Sequence, residues 1–498
     1  MRPKALSGSI AKYSRGLALS VLTLIGASQA PGAIYYWDSN TTTGGFGSAT
    51  GVWGTNNFLN TDITGGAGGS FFTATTNADT LNFGTATLNY AQASVTVSGA
   101  VAASSIVYGA AQTTGITISG GTSITLGDGT SGNGGITVNN GAGAQAISTA
   151  ITLNNTQTWT NSSTNLLTVQ TGALSLGSNV LTITGSGNTT ISSAIGGASG
   201  SIVKSGAGTL ILSGTNAYAS GTTVNAGTLT FLNTNARPGS GTVTVAAGAT
   251  LGLGVATTGS FFTSANVDSL FAGTLSGVTN DATSNVGIDT TNASFTYATS
   301  VSGSPTKGLV KLGANTLTLT GTNTYTGITT VSNGTLAIGT AGSLGSGSYA
   351  GAIAMPNFGS FTYSSSANQT LSGIISGTGS LTKDTSAAST LTLSNANTYT
   401  GATTNAAGIL SLTNSLALQN SPLNTTGSVA GTASVGIQTN AGSTLTALTL
   451  GGLTGPNTLA SRFRTTGGYG SLSALTLNSV ASSSYSGGIA DGATGMTL

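Results

Sequence analysis

One segment pattern occurs three times in this chain, and every occurrence is built from brief runs that alternate apolar and hydroxyl-bearing side chains. Ile202 to Leu232 reads IVKSGAGTLILSGTNAYASGTTVNAGTLTFL, Leu309 to Gly339 reads LVKLGANTLTLTGTNTYTGITTVSNGTLAIG, and Leu381 to Leu412 reads LTKDTSAASTLTLSNANTYTGATTNAAGILSL. Lys204 stands as far before Tyr218 as Lys311 stands before Tyr325, whereas Lys383 stands two places further before Tyr399, as a two-residue turn insertion would produce. An Asn stands two places before each tyrosine (Asn216, Asn323, Asn397), and a Thr-Thr pair follows each at the fourth and fifth positions. A period of two puts alternate residues on opposite faces of an extended strand. Runs of 4 to 6 such residues, bounded by Gly, Asn and Ser, read as half-buried strands separated by turns.

The same signature continues outside the three copies, in SVTVS at 94–98, ITIS at 116–119, SITL at 123–126, ITVN at 136–139 and LTIT at 181–184. Beyond residue 33 no sustained i, i+3, i+4 pattern is found, and abundant Gly and β-branched residues disfavour helix. One strand-turn unit cannot bury its apolar row alone, but stacked units merge their rows into a continuous seam. The predicted fold is therefore all-β, a β-solenoid forming a single elongated rod. With coils on the order of 20–25 residues the chain would make roughly twenty of them and extend ~100 Å.

Composition separates this pattern from disorder. Only 4% of the 498 residues are charged, and disordered chains are usually charge-rich and poor in β-branched residues. The amino terminus carries Arg2, Lys4, Lys12 and Arg15, then an apolar run from Leu17 to Ala27, then small residues from Ala30 to Ala33. That layout predicts an export signal over 1–33, cleaved after Ala30 or Ala33. The run falls short of the ~20 apolar residues that a bilayer-spanning helix needs. Without those four basic residues, 7 remain against 9 acidic ones. No basic stripe is left for a phosphate backbone, which argues against a nucleic-acid partner. Absence of Cys suits a long solenoid stabilised by stacking rather than by disulfides.

On the Lys, Asn-x-Tyr and Thr-Thr spacing, the three segments resemble the autotransporter-associated β-strand repeat, also called the passenger-associated transport repeat, of bacterial surface proteins. The opening YYWD at 35–38, with Trp53, is similar to the starts of large exported proteins that carry this repeat. The resemblance implies a right-handed parallel β-helix passenger, extracellular or held at the outer membrane, whose repeats support secretion and folding. It implies secretion machinery and an outer-membrane barrel outside this chain as partners, and a glycan or host-surface molecule as ligand. The organisation then reads as a signal over 1–33, an aromatic amino-terminal cap over 34–65, irregular coils over 66–200, repeat-bearing coils over 201–412 and further coils over 413–498. After Tyr399 the aromatics are Phe463, Tyr469 and Tyr485, too few for the girdles of a membrane barrel. Residues 486–498 resemble the repeat lead-in at 372–383, so the chain is expected to stop on entering a further repeat.

The inventory for chemistry is poor. There is no His, Cys or Glu, and the carboxylates are Asp38, Asp62, Asp79, Asp128, Asp268, Asp281, Asp289, Asp384 and Asp491. Neither a His-based triad nor an ordinary zinc site can be assembled, so no catalytic, cofactor-binding or metal-binding residue is expected. Asp268, Asp281 and Asp289, near Phe261, Phe262 and Phe271, lie in a segment that interrupts the repeat spacing. They read as strand ends or turn caps, as does Asp128 before Gly129. The alternative is a carboxylate pair in a polysaccharide-degrading or polysaccharide-binding β-helix. Lys204, Lys311 and Lys383 are expected at strand edges, blocking unwanted pairing, in preference to binding an anionic glycan. Tyr218, Tyr325 and Tyr399 are expected to pack in turns, and Trp159 locally. Tyr35, Tyr36, Trp37, Phe46, Trp53 and Phe58 read as an end cap rather than a sugar-stacking surface.

Overall fold

The computed structural model describes residues 32–498 apart from 41–42, 48–49, 67, 90–93, 302–305, 385–388, 440–444, 479–483 and 494; the export signal read over 1–33 lies almost wholly outside the described residues. The described chain is a β-solenoid of about 17 turns. The runs read from sequence all form strands, at Ser94–Val97, Thr117–Gly120, Ser123–Leu126, Gly135–Val138 and Val180–Thr184. Their burial alternates as the period of two requires, for instance exposed, buried, exposed, buried along Ser94–Val97.

Three parallel sheets form the long faces. A 14-stranded sheet runs from Gly51–Trp53 to Ile375–Gly377 and serves as the spine. A 12-stranded sheet accompanies it as far as Val278–Asn280, and a 9-stranded sheet takes over from Phe295–Tyr297 to Ala474–Leu477. Inside the spine, Ile118, Ile147, Val169, Ile191, Leu212, Phe231, Leu253 and Ile288 stack as direct partners in one apolar column. Each such side chain, fully buried, contributes about 1.5–3 kcal/mol. Only a neighbouring coil can cover it, so stability accumulates coil by coil.

Along that column most coils consume similar lengths of chain, as in the steps from Val169 to Ile191 and from Ile191 to Leu212. The steps from Ile118 to Ile147 and from Leu253 to Ile288 are longer, because the chain makes an excursion before rejoining the stack. These excursions explain why about 17 turns form where roughly twenty were expected. At roughly 4.8 Å per coil the stack spans about 80 Å rather than 100 Å.

The longest excursion also corrects the expectation of no helix. Ser264–Ala272 is α-helical, with Val267, Leu270 and Phe271 buried at i, i+3 and i+4. The Thr263 N–H donates to Asn266 Oδ1 at 3.0 Å, and Gly273 closes the helix at φ 72°. So short a helix does not show as sustained periodicity. At the amino-terminal end, Leu59–Asn60 pairs antiparallel with both Ile34–Trp37 and Phe71–Phe72, unlike the parallel ladders beyond. Trp37 and Trp53 are fully buried there, so neither indole offers a face to a sugar. Trp159 is buried in the core with its Nε1 donating to Gln157 Oε1 at 2.9 Å.

Candidate functional site

The three sequence repeats fold alike. In the first, Ser201–Lys204 and Thr209–Leu212 are followed by a corner bearing Asn216 and Tyr218, then by Thr222–Val224 and Thr228–Phe231. The last two strands stack directly on the first two, with Ile202 opposite Thr222 and Leu212 opposite Phe231. The second copy repeats this with Leu309 opposite Thr329 and Leu319 opposite Ile338, and the third with Leu381 opposite Thr403 and Leu393 opposite Leu412. Each repeat thus contains both partners of two ladders. The copies occupy different faces of the rod, because the sheet carrying the lysine is the 12-stranded one for Lys204, the 14-stranded one for Lys311 and the 9-stranded one for Lys383.

The lysines overturn the strand-edge expectation. Lys204, Lys311 and Lys383 are at most 2% exposed and point into the core. Lys311 continues the apolar column of the spine, between Ile288 and Val331. The alternation of the sequence contains this result, since Ile202, Leu309 and Leu381 precede the lysines by two places and face inward. Lys311 Nζ donates to the carbonyls of Leu312 (2.8 Å), Gly313 (2.7 Å) and Asn333 (3.0 Å), the last on the next coil. Lys204 Nζ donates to Gly206 and, one coil on, to Ala226 at 3.2 Å. Lys383 Nζ donates to the Asp384 carbonyl at 3.2 Å and lies 5.8 Å from the Tyr363 ring centroid. Burial lowers all three ammonium groups to a pKa of about 8.

The asparagines reach across three coils. Asn323 Oδ1 accepts the Val301 N–H at 2.9 Å from the preceding coil, while its Nδ2 donates to Gly321 O (2.9 Å) and to Ser343 O (3.0 Å) on the following one. Asn216 joins Ile195 N to Ala236 O, and Asn397 joins Ile375 N to Ala417 O, in the same manner. The tyrosines pack in the corners as expected, and the Tyr325 hydroxyl pairs with Thr329 Oγ1 at 2.8 Å, which pairs in turn with Tyr349 at 2.8 Å. Tyr218 pairs with Thr222 at 2.7 Å and Tyr399 with Thr403 at 2.5 Å. The first threonine of each Thr-Thr pair is therefore the tyrosine's partner.

The three aspartates take separate duties. Asp268, on the helix, accepts from the Tyr297 hydroxyl and from Thr299 Oγ1. Asp281 holds a turn by accepting the Thr283 N–H (2.8 Å) and Oγ1 (2.7 Å), which lowers its pKa. Asp289 ends the strand Asn285–Asp289 and accepts the Thr291 N–H at 2.8 Å. Asp128 caps its turn through Thr130 N and Asn133 Nδ2. Among the described residues no group of three or more carboxylate, His or Cys side chains gathers to hold a metal ion.

Compared with known proteins, the chain matches the family model of the passenger-associated-transport-repeat at residues 202–231, 309–338 and 388–412. The third match leaves out Lys383 and the strand that carries it. No curated protein and no solved structure matches the chain.

Proposed function

We propose, from the premise of three passenger-associated transport repeats stacked in one β-solenoid, that this chain is a non-catalytic passenger: a stiff rod exported by an amino-terminal signal and displayed outside the cell for adhesion or structural support. The observation that carries this reading is the self-pairing of each repeat together with its Asn and Lys ties to adjoining coils. A repeat arriving outside a membrane brings both sides of two ladders within one short segment, so it can close before the rest of the chain emerges. Its Asn then needs the neighbouring coils to satisfy buried N–H and C=O groups. Coil formation is thereby progressive, and a coil once stacked resists being drawn back. Secretion machinery and an outer-membrane barrel are the partners such a route requires.

The test is export of two versions in a Gram-negative host: the full chain and one lacking residues 1–33. The full chain should be accessible to protease added outside the cell, and the shortened one should stay inside. External accessibility of the shortened version would overturn the proposal.

A further inference from the structure

We propose that Asn333 is a site of spontaneous deamidation activated by the buried Lys311, so that the second repeat converts one of its own turn residues to isoaspartate. Three Asn-Gly pairs occur in the chain, at 133–134, 140–141 and 333–334. In such a pair the glycine has no side chain to hinder its own nitrogen from reaching the asparagine Cγ. Asn333 is exposed in the turn between Thr329–Val331 and Thr335–Ile338, and Gly334 follows it at φ 65°. The Gly334 N–H is turned toward the Asn333 side chain, with its nitrogen 2.8 Å from Oδ1. The nucleophile and the amide that it attacks are therefore already together.

Lys311 supplies the activation. Its Nζ donates at 3.0 Å to the Asn333 carbonyl, which belongs to the same peptide group as the Gly334 N–H. Negative charge on a deprotonated peptide nitrogen is shared with that oxygen, so an ammonium group beside it favours loss of the proton. The other two repeats hold the same turn without the reactive residue. Lys204 donates to the Ala226 carbonyl, with Gly227 next at φ 66°, and in the third copy Ala407 precedes Gly408 at φ 73°. Only the second copy places an amide side chain at this position.

Water is the only outside reagent. It takes the Gly334 proton, the nitrogen bonds to Asn333 Cγ, and the Cγ–Nδ2 bond breaks as Nδ2 gains a proton and leaves as ammonia, which closes a succinimide ring. Water then adds to one of the two ring carbonyls. Addition at Cγ gives an ordinary aspartate, whereas addition at the main-chain carbonyl carbon routes the backbone through Cγ and gives isoaspartate. Lys311 bonds the oxygen on that second carbon, so the oxyanion formed there meets a donor already in place, and isoaspartate is the favoured product. The new carboxylate then faces the buried Lys311, and a neutral tie between adjoining coils becomes an ionic one.

The test is peptide mapping of the purified full chain after incubation in warm neutral buffer, with electron-transfer fragmentation to tell isoaspartate from aspartate. Asn140 is the internal reference, because it too is exposed and precedes a glycine but lies three coils before Lys204, the first described lysine. Asn333 should convert in the folded chain with a ratio of isoaspartate to aspartate several-fold above that at Asn140, and in urea the two ratios should become equal. Lys311→Met should slow conversion of Asn333 in the folded chain about tenfold, as loss of a hydrogen bond from a charged donor predicts. The comparison with Asn140 decides the matter if that variant does not fold. Asn333 left unconverted in the folded chain, equal ratios there, or an unchanged rate in folded Lys311→Met would each overturn the assignment and leave the export reading untouched.

Discussion

Replacing Asn323 with alanine removes one side chain that ties together three successive coils. The Val301 N–H loses its acceptor at 2.9 Å, whereas the Ser343 carbonyl loses its side-chain donor at 3.0 Å but stays in the parallel ladder with the backbone of Thr322–Asn323, and the Gly321 carbonyl retains the Ser343 N–H at 3.2 Å. Asn323 is fully buried, so the stranded Val301 N–H has no ready access to water. A buried polar group left unpaired costs about 1–3 kcal/mol, which sets the size of the loss expected for this substitution. Because a solenoid is a chain of nearest-neighbour contacts, this loss should be local rather than spread along the rod. Hydrogen exchange read by mass spectrometry should show faster exchange from about residue 299 to 345, with Val301 among the most affected amides and the coils before residue 200 unchanged. The urea midpoint of the central coils should fall with it. Unchanged protection at Val301, or loosening that extends equally to the amino-terminal coils, would refute the reasoning.

Stability should depend on pH in two opposed steps. Lys204, Lys311 and Lys383 release their protons near pH 8 when folded but near 10.5 when unfolded, so the unfolded chain holds more protons between those values and stability rises with pH there. Tyr218, Tyr349 and Tyr399 are pushed up to about 12 from 10 by burial, so above pH 10 the folded chain holds more protons and stability falls. Denaturation midpoints across pH 7–12 should peak near pH 10, and changing the three lysines to methionine should flatten the rising limb. Tyr325→Phe removes the pairing with Thr329 and should cost about 1 kcal/mol in urea unfolding. Ala33 donates its N–H to Asp79 Oδ1 at 2.8 Å, and a Cβ on Gly32 would collide with Ala78, so this segment belongs to the fold. Mass spectrometry of the exported chain should then find Pro31 at its amino terminus, and a start at Ile34 would contradict this.

The period of two in the sequence determined the fold class and, strand by strand, which side chains face the core. It applied equally to Lys204, Lys311 and Lys383, whose inward direction follows from the apolar residues two places earlier; the preference of charge for solvent led to the opposite expectation. The buried carbonyls that receive those ammonium groups come from the turn and the next coil. Their positions depend on how much chain each coil consumes, which differs between the short step from Leu212 to Phe231 and the long one from Leu253 to Ile288. The same dependence hid the partners of Asn216, Asn323 and Asn397. Gly252 and Gly287 are far apart in sequence and look like any of the 78 glycines until the register makes them neighbours. Facing is a local property of an extended backbone and is written in the sequence. Adjacency between coils is set by the sum of every turn and excursion, and only the tertiary structure decides it.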